Sequence, residues 1–240
     1  ESILRNAAME PEVISLAKML NKMGAHITGY GTNKIIVKGC SYLKGLDIIS
    51  PPDRIEAGTY ALALAATGGK LKLNSISIKE IETLRYLLEN TDVNIKSHKN
   101  SIELIKKNRI IQPTDIETKP YPGFPTDLQA QFMSLMCIAN GKSVIEENIF
   151  ENRFMHVPEL NRLGAKIKVK KDIALITGNR NLKGAQVMAS DLRASVSLVL
   201  AALCAEGESV INRVYHLDRG YEKIEHTLGS LGPSIKRENY

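Results

Sequence analysis

Four segments of this chain place charged side chains where a strand or loop is about to become a helix. They are residues 120–127, 149–156, 191–193 and 215–222. The first has three prolines and a glycine before Asp127, a composition that predicts a stiff, extended loop. Such a loop would deliver Asp127 to the first turn of a helix. There its carboxylate could act on a ligand or simply cap the helix.

Arginines accompany the other three segments. Arg153 lies in a strand-to-helix connection and suits a carboxylate or phosphate ligand, although a packed turn would use the same residues. Asp191 and Arg193 are two positions apart in a first helical turn, so they cannot face each other and must have different partners. Arg193 also opposes the helix dipole, which favours an anionic partner or an internal ion pair. Arg219 lies in the fourth segment, where functional and structural interpretations stay equally open.

These segments are positioned by an internal repeat, with about three and a half copies of one α/β unit. Each full copy has a polar cap, an apolar helix, a glycine and a short strand, and the copies begin at Pro52, Pro125 and Ala189. A left-handed glycine is expected to end these helices at Gly68–Gly69, Gly141 and Gly207. The helices are apolar nearly all round, which predicts helices inside and sheets outside.

A second passage also recurs: an amphipathic helix, a glycine and a strand. It appears at residues 20–27, 160–167 and 228–235, with a divergent version at 87–95. Strand pairs are predicted at 26–28 with 35–37 and at 167–169 with 174–176. The chain opens on a strand without its helix and ends at Ser234-Ile-Lys, where other copies continue into a second strand. We therefore expect residues upstream to be missing.

Aligning the copies assigns helix caps and separates the aspartates. The expected cap residues are Asp53, Thr126 and Ser190, and Glu56 and Gln129 complete the capping-box spacing in the first two copies. Asp127 and Asp191 then lie one residue further in, where the helix dipole keeps a carboxylate ionised. This alignment predicts that both are free to act on a ligand.

Composition excludes several classes. The five histidines show no HxxxH or HExxH spacing, and no GxGxxG or Walker loop occurs, so we expect neither a metal nor a cofactor. Apolar runs are too short for a membrane span. The net charge of +6 suits nucleic acid or phosphorylated small molecules, but no aromatic and basic stripe of the RNA-reading kind is present. The three cysteines, Cys40, Cys137 and Cys204, form no CxxC motif, and two of them lie in apolar helical patterns, which predicts reduced core thiols of a cytoplasmic protein.

Four motifs give a family resemblance. PYPGFPTDLQAQ, ENRFMHVPEL, SDLRAS and YHLDRGYEKIE, together with PDRIEAGT, resemble the UDP-N-acetylglucosamine 1-carboxyvinyltransferases, from residue 6 to about 235. Shikimate-pathway enolpyruvyl transferases share the fold but lack this set. The resemblance implies an α/β fold of two inside-out barrel domains. Residues 1–50 would end the first domain and residues 51–240 would form the second, without its N-terminal strands.

The resemblance also implies a reaction: transfer of the enolpyruvyl group of phosphoenolpyruvate to the 3-hydroxyl of UDP-N-acetylglucosamine, releasing phosphate. This is a cytoplasmic step of peptidoglycan precursor synthesis, and so of cell wall biogenesis, cell shape and cell division. It assigns Asp127 to the sugar hydroxyl as base and Arg219 to phosphoenolpyruvate. Arg153, Asp191 and Arg193 would line the same cleft. The backbone of Ile149 would contact the UDP-sugar.

Parts of the site would lie outside this chain. In the family a loop cysteine, a Lys-Asn pair and further arginines come from upstream sequence, and none of the three cysteines here matches that loop. Arg54 would lie at the domain junction. The expected partners are therefore the two substrates and the missing N-terminal portion, without nucleic acid or membrane. A non-catalytic half-length binding or scaffold module of the same fold stays open as the alternative.

Overall fold

The computed structural model describes residues 1–108 and 110–238. Its α-helices are α1 Pro11–Lys22, α2 Arg54–Thr67, α3 Glu82–Asn90, α4 Gln129–Cys137, α5 Val157–Arg162, α6 Leu192–Ala202 and α7 Ile224–Gly229. Its strands are β1 Ser2–Arg5, β2 His26–Thr28, β3 Lys34–Lys38, β4 Gly69–Asn74, β5 Asn94–His98, β6 Ser101–Lys106, β7 Ile116–Glu117, β8 Lys142–Glu146, β9 Lys166–Lys170, β10 Ile173–Thr177, β11 Gln186–Met188 and β12 Val210–Asn212. Three 3-10 helices span Ile78–Ile81, Thr126–Leu128 and Val214–Arg219.

The strands form four small sheets that follow the repeat. Their orders are β1-β3-β2, β4-β6-β5, β7-β8-β10-β9 and β11-β12. In the first three sheets an amphipathic helix precedes an antiparallel hairpin: α1 before β2–β3, α3 before β5–β6 and α5 before β9–β10. The predicted strand pairs are confirmed: β2 has the predicted bounds, and β3, β9 and β10 each extend one residue further at both ends.

Helices α2, α4 and α6 form the centre and contact one another pairwise. All residues of α4, from Gln129 to Cys137, are buried, and α2 is buried from Ile55 to Ala65 except for Glu56. Gly58 of α2 lets its neighbours approach, because a Cβ there would lie 2.7 Å from Leu84 Cδ1 and 2.8 Å from Leu128 Cδ1. The predicted arrangement of helices inside and sheets outside is confirmed.

The predicted helix ends need correction. α2 ends at Thr67 and Gly68 follows with φ 78° and ψ 179°, a positive φ that is not the left-handed helical cap expected. α4 ends at Cys137 and α6 at Ala202, several residues before Gly141 and Gly207. Their cap residues, Ile138 and Leu203, have negative φ. The glycines instead take positive φ in the turns that lead to the next strands.

The N-terminal layer has its own small core. Ala17, Ile27 and Ile35 form a hydrophobic cluster separate from the large cluster built around α2, α4 and α6. Residues 39–53 contain no helix or strand and connect the two. Glu12 of α1 pairs with Arg54 at 2.8 Å, so an ion pair also links this layer to the start of α2.

The last unit is smaller than the others. Sheet β11-β12 has two strands, and no strand forms at Ser234-Ile-Lys, contrary to the expectation. Arg237 in this segment is held instead by Asp218, with nitrogen–oxygen distances of 2.7 and 3.1 Å. A cavity of about 1030 Å³ lies between α6, β12, α7 and this segment. In the described residues, no helix has the length and apolarity needed to cross a bilayer.

The three cysteines lie in three different environments. Cys137 is buried, Cys204 is partly buried and Cys40 is exposed. Burial raises the pKa of the Cys137 thiol to about 12, with a smaller contribution from Cys204. The prediction of core thiols is therefore wrong for Cys40, which lies in the connection that follows β3.

Candidate active site

Asp127 is the centre of a charge cluster at one end of the buried helices. It lies in the 3-10 turn Thr126–Leu128 that leads into α4, as the loop composition predicted. Arg153 donates to its Oδ1 and Arg193 donates to its Oδ2, each at 3.1 Å. The Asp127 side chain is 41% exposed, whereas the side chains of Arg153 and Arg193 are 24% and 18% exposed. The carboxylate is thus both paired and accessible.

The two arginines that pair with Asp127 belong to two different repeat units. Arg153 lies in the turn between β8 and α5, and its guanidinium stacks over the Phe150 ring with 4.9 Å between carbon and centroid. Arg193 is in the first turn of α6, where its charge opposes the helix dipole. Its pairing with Asp127 is the internal ion pair that the sequence left open. Two cations and one carboxylate leave a net positive site suited to anions.

Asp191 does not have the freedom that the alignment predicted. Its Oδ1 accepts from the backbone N–H groups of Arg193 at 2.9 Å and Ala194 at 3.0 Å, so Asp191 itself caps α6. Ser190, the expected cap, instead donates to Asp191 Oδ2 at 3.2 Å. The error is one residue: α6 begins at Leu192, later than the alignment placed it.

Of the other two predicted helix caps, Asp53 is confirmed and Thr126 is wrong. Asp53 caps α2 as predicted, accepting from Ile55 N at 2.8 Å and Glu56 N at 3.0 Å. Thr126 caps nothing, because the chain enters α4 through a 3-10 turn without a side-chain cap. In the described part of the chain, neither Glu56 nor Gln129 returns the hydrogen bond of a capping box. Asp127 therefore has no capping duty, as the alignment predicted for it.

Glu147 is a buried acid that the sequence reasoning missed. It follows β8, is 3% exposed and accepts hydrogen bonds from the Thr118 hydroxyl at 2.8 Å and the Thr126 hydroxyl at 2.9 Å. It also accepts from Ile149 N at 3.0 Å and Phe150 N at 3.2 Å. An acid directly after β8 and before the Ile149–His156 motif was the available signal, but its two threonine partners lie 29 and 21 residues away in sequence.

Ile149 itself lies at the surface beside this acid. The residue is 38% exposed, and its N–H is committed to Glu147. Its carbonyl oxygen accepts no hydrogen bond from residues 1–108 or 110–238, so it is open to a ligand. Phe150, also exposed, connects this turn to Asp127 through Arg153.

A buried polar chain connects the three units behind Asp127. Tyr221 Oη and Thr59 Oγ1 lie 2.8 Å apart, and Gln131 Nε2 lies 3.3 Å from Thr59 Oγ1. Gln131 Nε2 also donates to the backbone carbonyl of Asp127 at 2.9 Å. Burial raises the pKa of Tyr221, while its hydrogen bond to Thr59 acts in the opposite direction. The phenol therefore stays neutral and serves as a fixed hydrogen-bonding group.

Arg219 lies two residues before Tyr221 and is not part of the ion-pair cluster. It ends the 3-10 helix Val214–Arg219, its side chain is exposed, and it forms no ion pair within the described residues. The following Gly220 packs against Leu192, where an added Cβ would lie 2.9 Å from the Leu192 Cδ2. The start of α6 thus holds the Arg219 turn at the same end of the barrel as Asp127, while leaving the guanidinium free.

His156 is buried beneath the cluster. It is 2% exposed, and burial lowers its pKa from 6.5 to about 4; Asp191 raises it and Arg153 lowers it further. The imidazole is therefore neutral near pH 7. Its Nε2 has no hydrogen-bond partner among the described residues. No group of three or more His, Cys, Asp or Glu residues in that part of the chain could hold a metal ion.

The geometry thus joins Asp127, Arg153 and Arg193 directly. Asp191 caps the helix that carries Arg193, Ile149 lies in the turn that carries Arg153, and the turn after Arg219 packs against Leu192. An exposed carboxylate can accept a proton from a substrate hydroxyl, while guanidinium groups bind phosphate or carboxylate oxygens.

The sequence of the chain is similar to those of several named enzymes. It is 54% identical over 239 residues to a UDP-N-acetylglucosamine 1-carboxyvinyltransferase of Mesorhizobium japonicum, covering 99% of this chain and 56% of that protein. It is 53% identical over 237 residues to the enzyme of the same name from Brucella ovis, covering 99% and 55%. The chain therefore spans about half the length of the curated relatives it matches.

Solved structures and a family profile agree with this. The enolpyruvyl transferase NikO from Streptomyces tendae superposes with a TM-score of 0.87 at 25% identity, over 98% of this chain and 56% of that one. An EPSP synthase from Acinetobacter baumannii shares the fold, with a TM-score of 0.70 at 18% identity over 92% and 55%. Residues 1–228 match the family described as EPSP synthase (3-phosphoshikimate 1-carboxyvinyltransferase). The chain belongs to that family and has its enolpyruvyl transferase fold.

Proposed function

We propose that the protein containing this chain transfers the enolpyruvyl group of phosphoenolpyruvate to the 3-hydroxyl of UDP-N-acetylglucosamine and releases phosphate. This is a cytoplasmic step of peptidoglycan precursor synthesis, and so contributes to cell shape and division. The observation that carries the proposal is the accessible Asp127 carboxylate between Arg153 and Arg193, in a chain 54% identical to a carboxyvinyltransferase. The reaction requires a base and a set of cations.

Asp127 is the proposed base. The 3-hydroxyl oxygen forms a bond to C2 of phosphoenolpyruvate while its proton passes to the carboxylate and C3 gains a proton from an acid. Loss of a C3 proton and of phosphate then restores the double bond. The acid is not assigned to this chain. Because both oxygens of Asp127 are held by arginines, the carboxylate is fixed in place before substrate arrives.

The remaining residues bind and orient. Arg219 is proposed to hold phosphoenolpyruvate, since its guanidinium is exposed and unpaired within the described residues. Arg153 and Arg193 line the same cleft. Asp191 acts through α6, because its carboxylate fixes the first turn that carries Arg193. Ile149 offers its carbonyl oxygen to the UDP-sugar.

We further propose that residues 1–50 end one barrel domain and residues 51–240 form most of a second. The separate hydrophobic cluster of the N-terminal layer supports this division. β12 lies at the edge of a two-stranded sheet beside the cavity of about 1030 Å³, which suits strands supplied by the N-terminal portion of the protein. The loop cysteine, the Lys-Asn pair and further arginines of the family would come with that portion.

Phosphate release tests this function. The intact protein should release phosphate only when both phosphoenolpyruvate and UDP-N-acetylglucosamine are present, whereas the chain of residues 1–240 alone should release none. Absence of release by the intact protein would favour the scaffold or binding module instead. Release by the isolated chain would show that the site is complete without the upstream portion.

A further inference from the structure

The buried carboxylate of Glu147 connects two segments that are distant in sequence. One is the proline-rich loop, whose two ends carry Thr118 and Thr126. The other is the turn that begins with Ile149 and Phe150. Both hydroxyls and both amides donate to Glu147, at 2.8 to 3.2 Å. Oε1 accepts three of these hydrogen bonds and Oε2 accepts the one from Thr126, so the partners of this buried acid are structural groups of the chain itself.

The contacts close into a ring that includes Asp127. Thr126, bonded to Glu147 Oε2, is the residue before Asp127. The backbone N–H of Phe150 donates to Glu147 Oε1, and the Arg153 guanidinium stacks on the Phe150 ring. Arg153 in turn donates to Asp127 Oδ1. Glu147 is therefore attached to Asp127 by two routes, one through the backbone and one through Arg153.

We propose that Glu147 is the positioning residue that holds the base Asp127 and the sugar-binding turn at Ile149 in one fixed arrangement. The proposal rests on the function proposed above and adds a residue to it. Glu147 does not touch substrate. Its effect is geometric, because a displacement of about 1 Å between base and hydroxyl lowers turnover about 100-fold.

Substitutions of graded severity separate this role from general stability. In Glu147→Gln the remaining oxygen can still accept from Thr118, Ile149 and Phe150, and the new amide can donate to the Thr126 hydroxyl. Glu147→Ala removes the acceptor of all four hydrogen bonds. The matched control is Glu151→Ala, since Glu151 is exposed in the same turn and loses the same charge.

In the intact protein, Glu147→Ala should lower kcat/KM for UDP-N-acetylglucosamine about 100-fold, with kcat and KM both affected, because base and sugar-binding turn move together. Glu147→Gln should stay within about 5-fold of the parent protein, since most of its hydrogen bonds survive. Glu151→Ala should match the parent. A Glu147→Ala protein as active as the control would overturn the proposal, and so would a Gln variant as impaired as the Ala variant.

Amide hydrogen exchange supplies a readout that needs no substrate. Exchange at Ile149 and Phe150 should be at least about 10-fold faster in Glu147→Ala than in Glu151→Ala, because the amides lose their acceptor. If Glu147→Ala does not fold, Thr126→Val removes only the link to Asp127. It should lower kcat about 10-fold with exchange at Ile149 unchanged; unchanged kcat would contradict the proposal.

The two readouts keep the two proposals apart. An inactive parent protein whose Ile149 and Phe150 amides still lose protection in Glu147→Ala would refute the proposed function and keep the positioning role. An active parent whose exchange is the same in Glu147→Ala and Glu151→Ala would keep the function and refute the positioning role.

Discussion

The first turns of α2 and α4 occupy equivalent places in the repeat but use their aspartates differently. Asp53 gives its Oδ1 to two backbone amides of its own helix. Asp127 lies in the 3-10 turn that leads into its helix, and its two oxygens face Arg153 of its own unit and Arg193 of the next unit. Asp191 has the same role as Asp53, because it caps α6. Of these three aspartates, the one without a capping duty is therefore the one available for chemistry.

The arginines show the same contrast. Arg54 is the first residue of α2, is 10% exposed and pairs with Glu12, whose side chain is 58% exposed. Arg193, in the first turn of α6, turns toward Asp127 and is 18% exposed. One arginine serves a contact between layers, and the other belongs to the charge cluster. Substitutions of these two arginines, each in the first turn of a central helix, should therefore have different consequences.

The largest effect is expected at Arg193. In the intact protein, Arg193→Met should lower kcat/KM for phosphoenolpyruvate about 1000-fold, about 4 kcal/mol, because it removes a cation that we propose to face the transferring group. Arg54→Met should lower it by at most about 5-fold. Steady-state phosphate release measures both. Equal losses in the two variants would mean that the starts of α2 and α6 are not functionally distinct.

The next effect is a pH dependence of stability that comes from the buried His156 beneath the Asp127 cluster. The pKa of His156 is about 4 in the folded protein and near 6.5 when unfolded, so the unfolded state binds the proton more tightly. Stability should be full above pH 6.5 and fall by about 3 kcal/mol between pH 6.5 and pH 4.

Urea unfolding of the parent and of His156→Gln across this range measures that contribution. The difference in slope between the two proteins should be about 1.4 kcal/mol per pH unit. His98→Gln, which changes an exposed histidine on β5, is the control and should retain the parent's slope. Identical slopes for His156→Gln and the parent would show that this histidine is protonated without cost in the folded state.

The smallest effect concerns the caps. Asp53→Ala should lower the free energy of unfolding by about 1 kcal/mol, because two amides of α2 lose their acceptor, whereas Asp53→Asn should be nearly neutral since Asn caps well. Asp191→Ala and Asp191→Asn should behave alike in this respect at α6. Thermal unfolding measures both pairs. An Asn variant as destabilised as the Ala variant would mean that charge, rather than capping, is what the helix needs.

Much of the fold was predictable because the repeat is written in the sequence. Helices that are apolar on every side must be buried, and a glycine followed by an apolar strand marks each turn. The helix starts were less predictable, since Ser190 and Asp191 are both good caps and only tertiary packing decides between them. For α4 the 3-10 turn removed the need for a cap, which residue types do not reveal.

The site was predictable to the level of its motifs and not to the level of its contacts. The motifs identified Asp127, Arg153 and Arg193, and the structure joins them at 3.1 Å. Nothing local in the sequence pairs Glu147 with Thr118, because that contact depends on how β8 lies beside the loop. Long-range polar contacts of this kind can be inferred only when the pairing and register of the strands are known.

The central claim is that Asp127, unlike Asp53, is the carboxylate that does chemistry. Phosphate release by the intact protein should be compared for Asp127→Asn and Asp53→Asn, which make the same change at equivalent helix starts. Asp127→Asn should lower the rate about 1000-fold, as expected for loss of a general base, whereas Asp53→Asn should stay within about 2-fold of the parent. Comparable rates for the two variants would contradict the account.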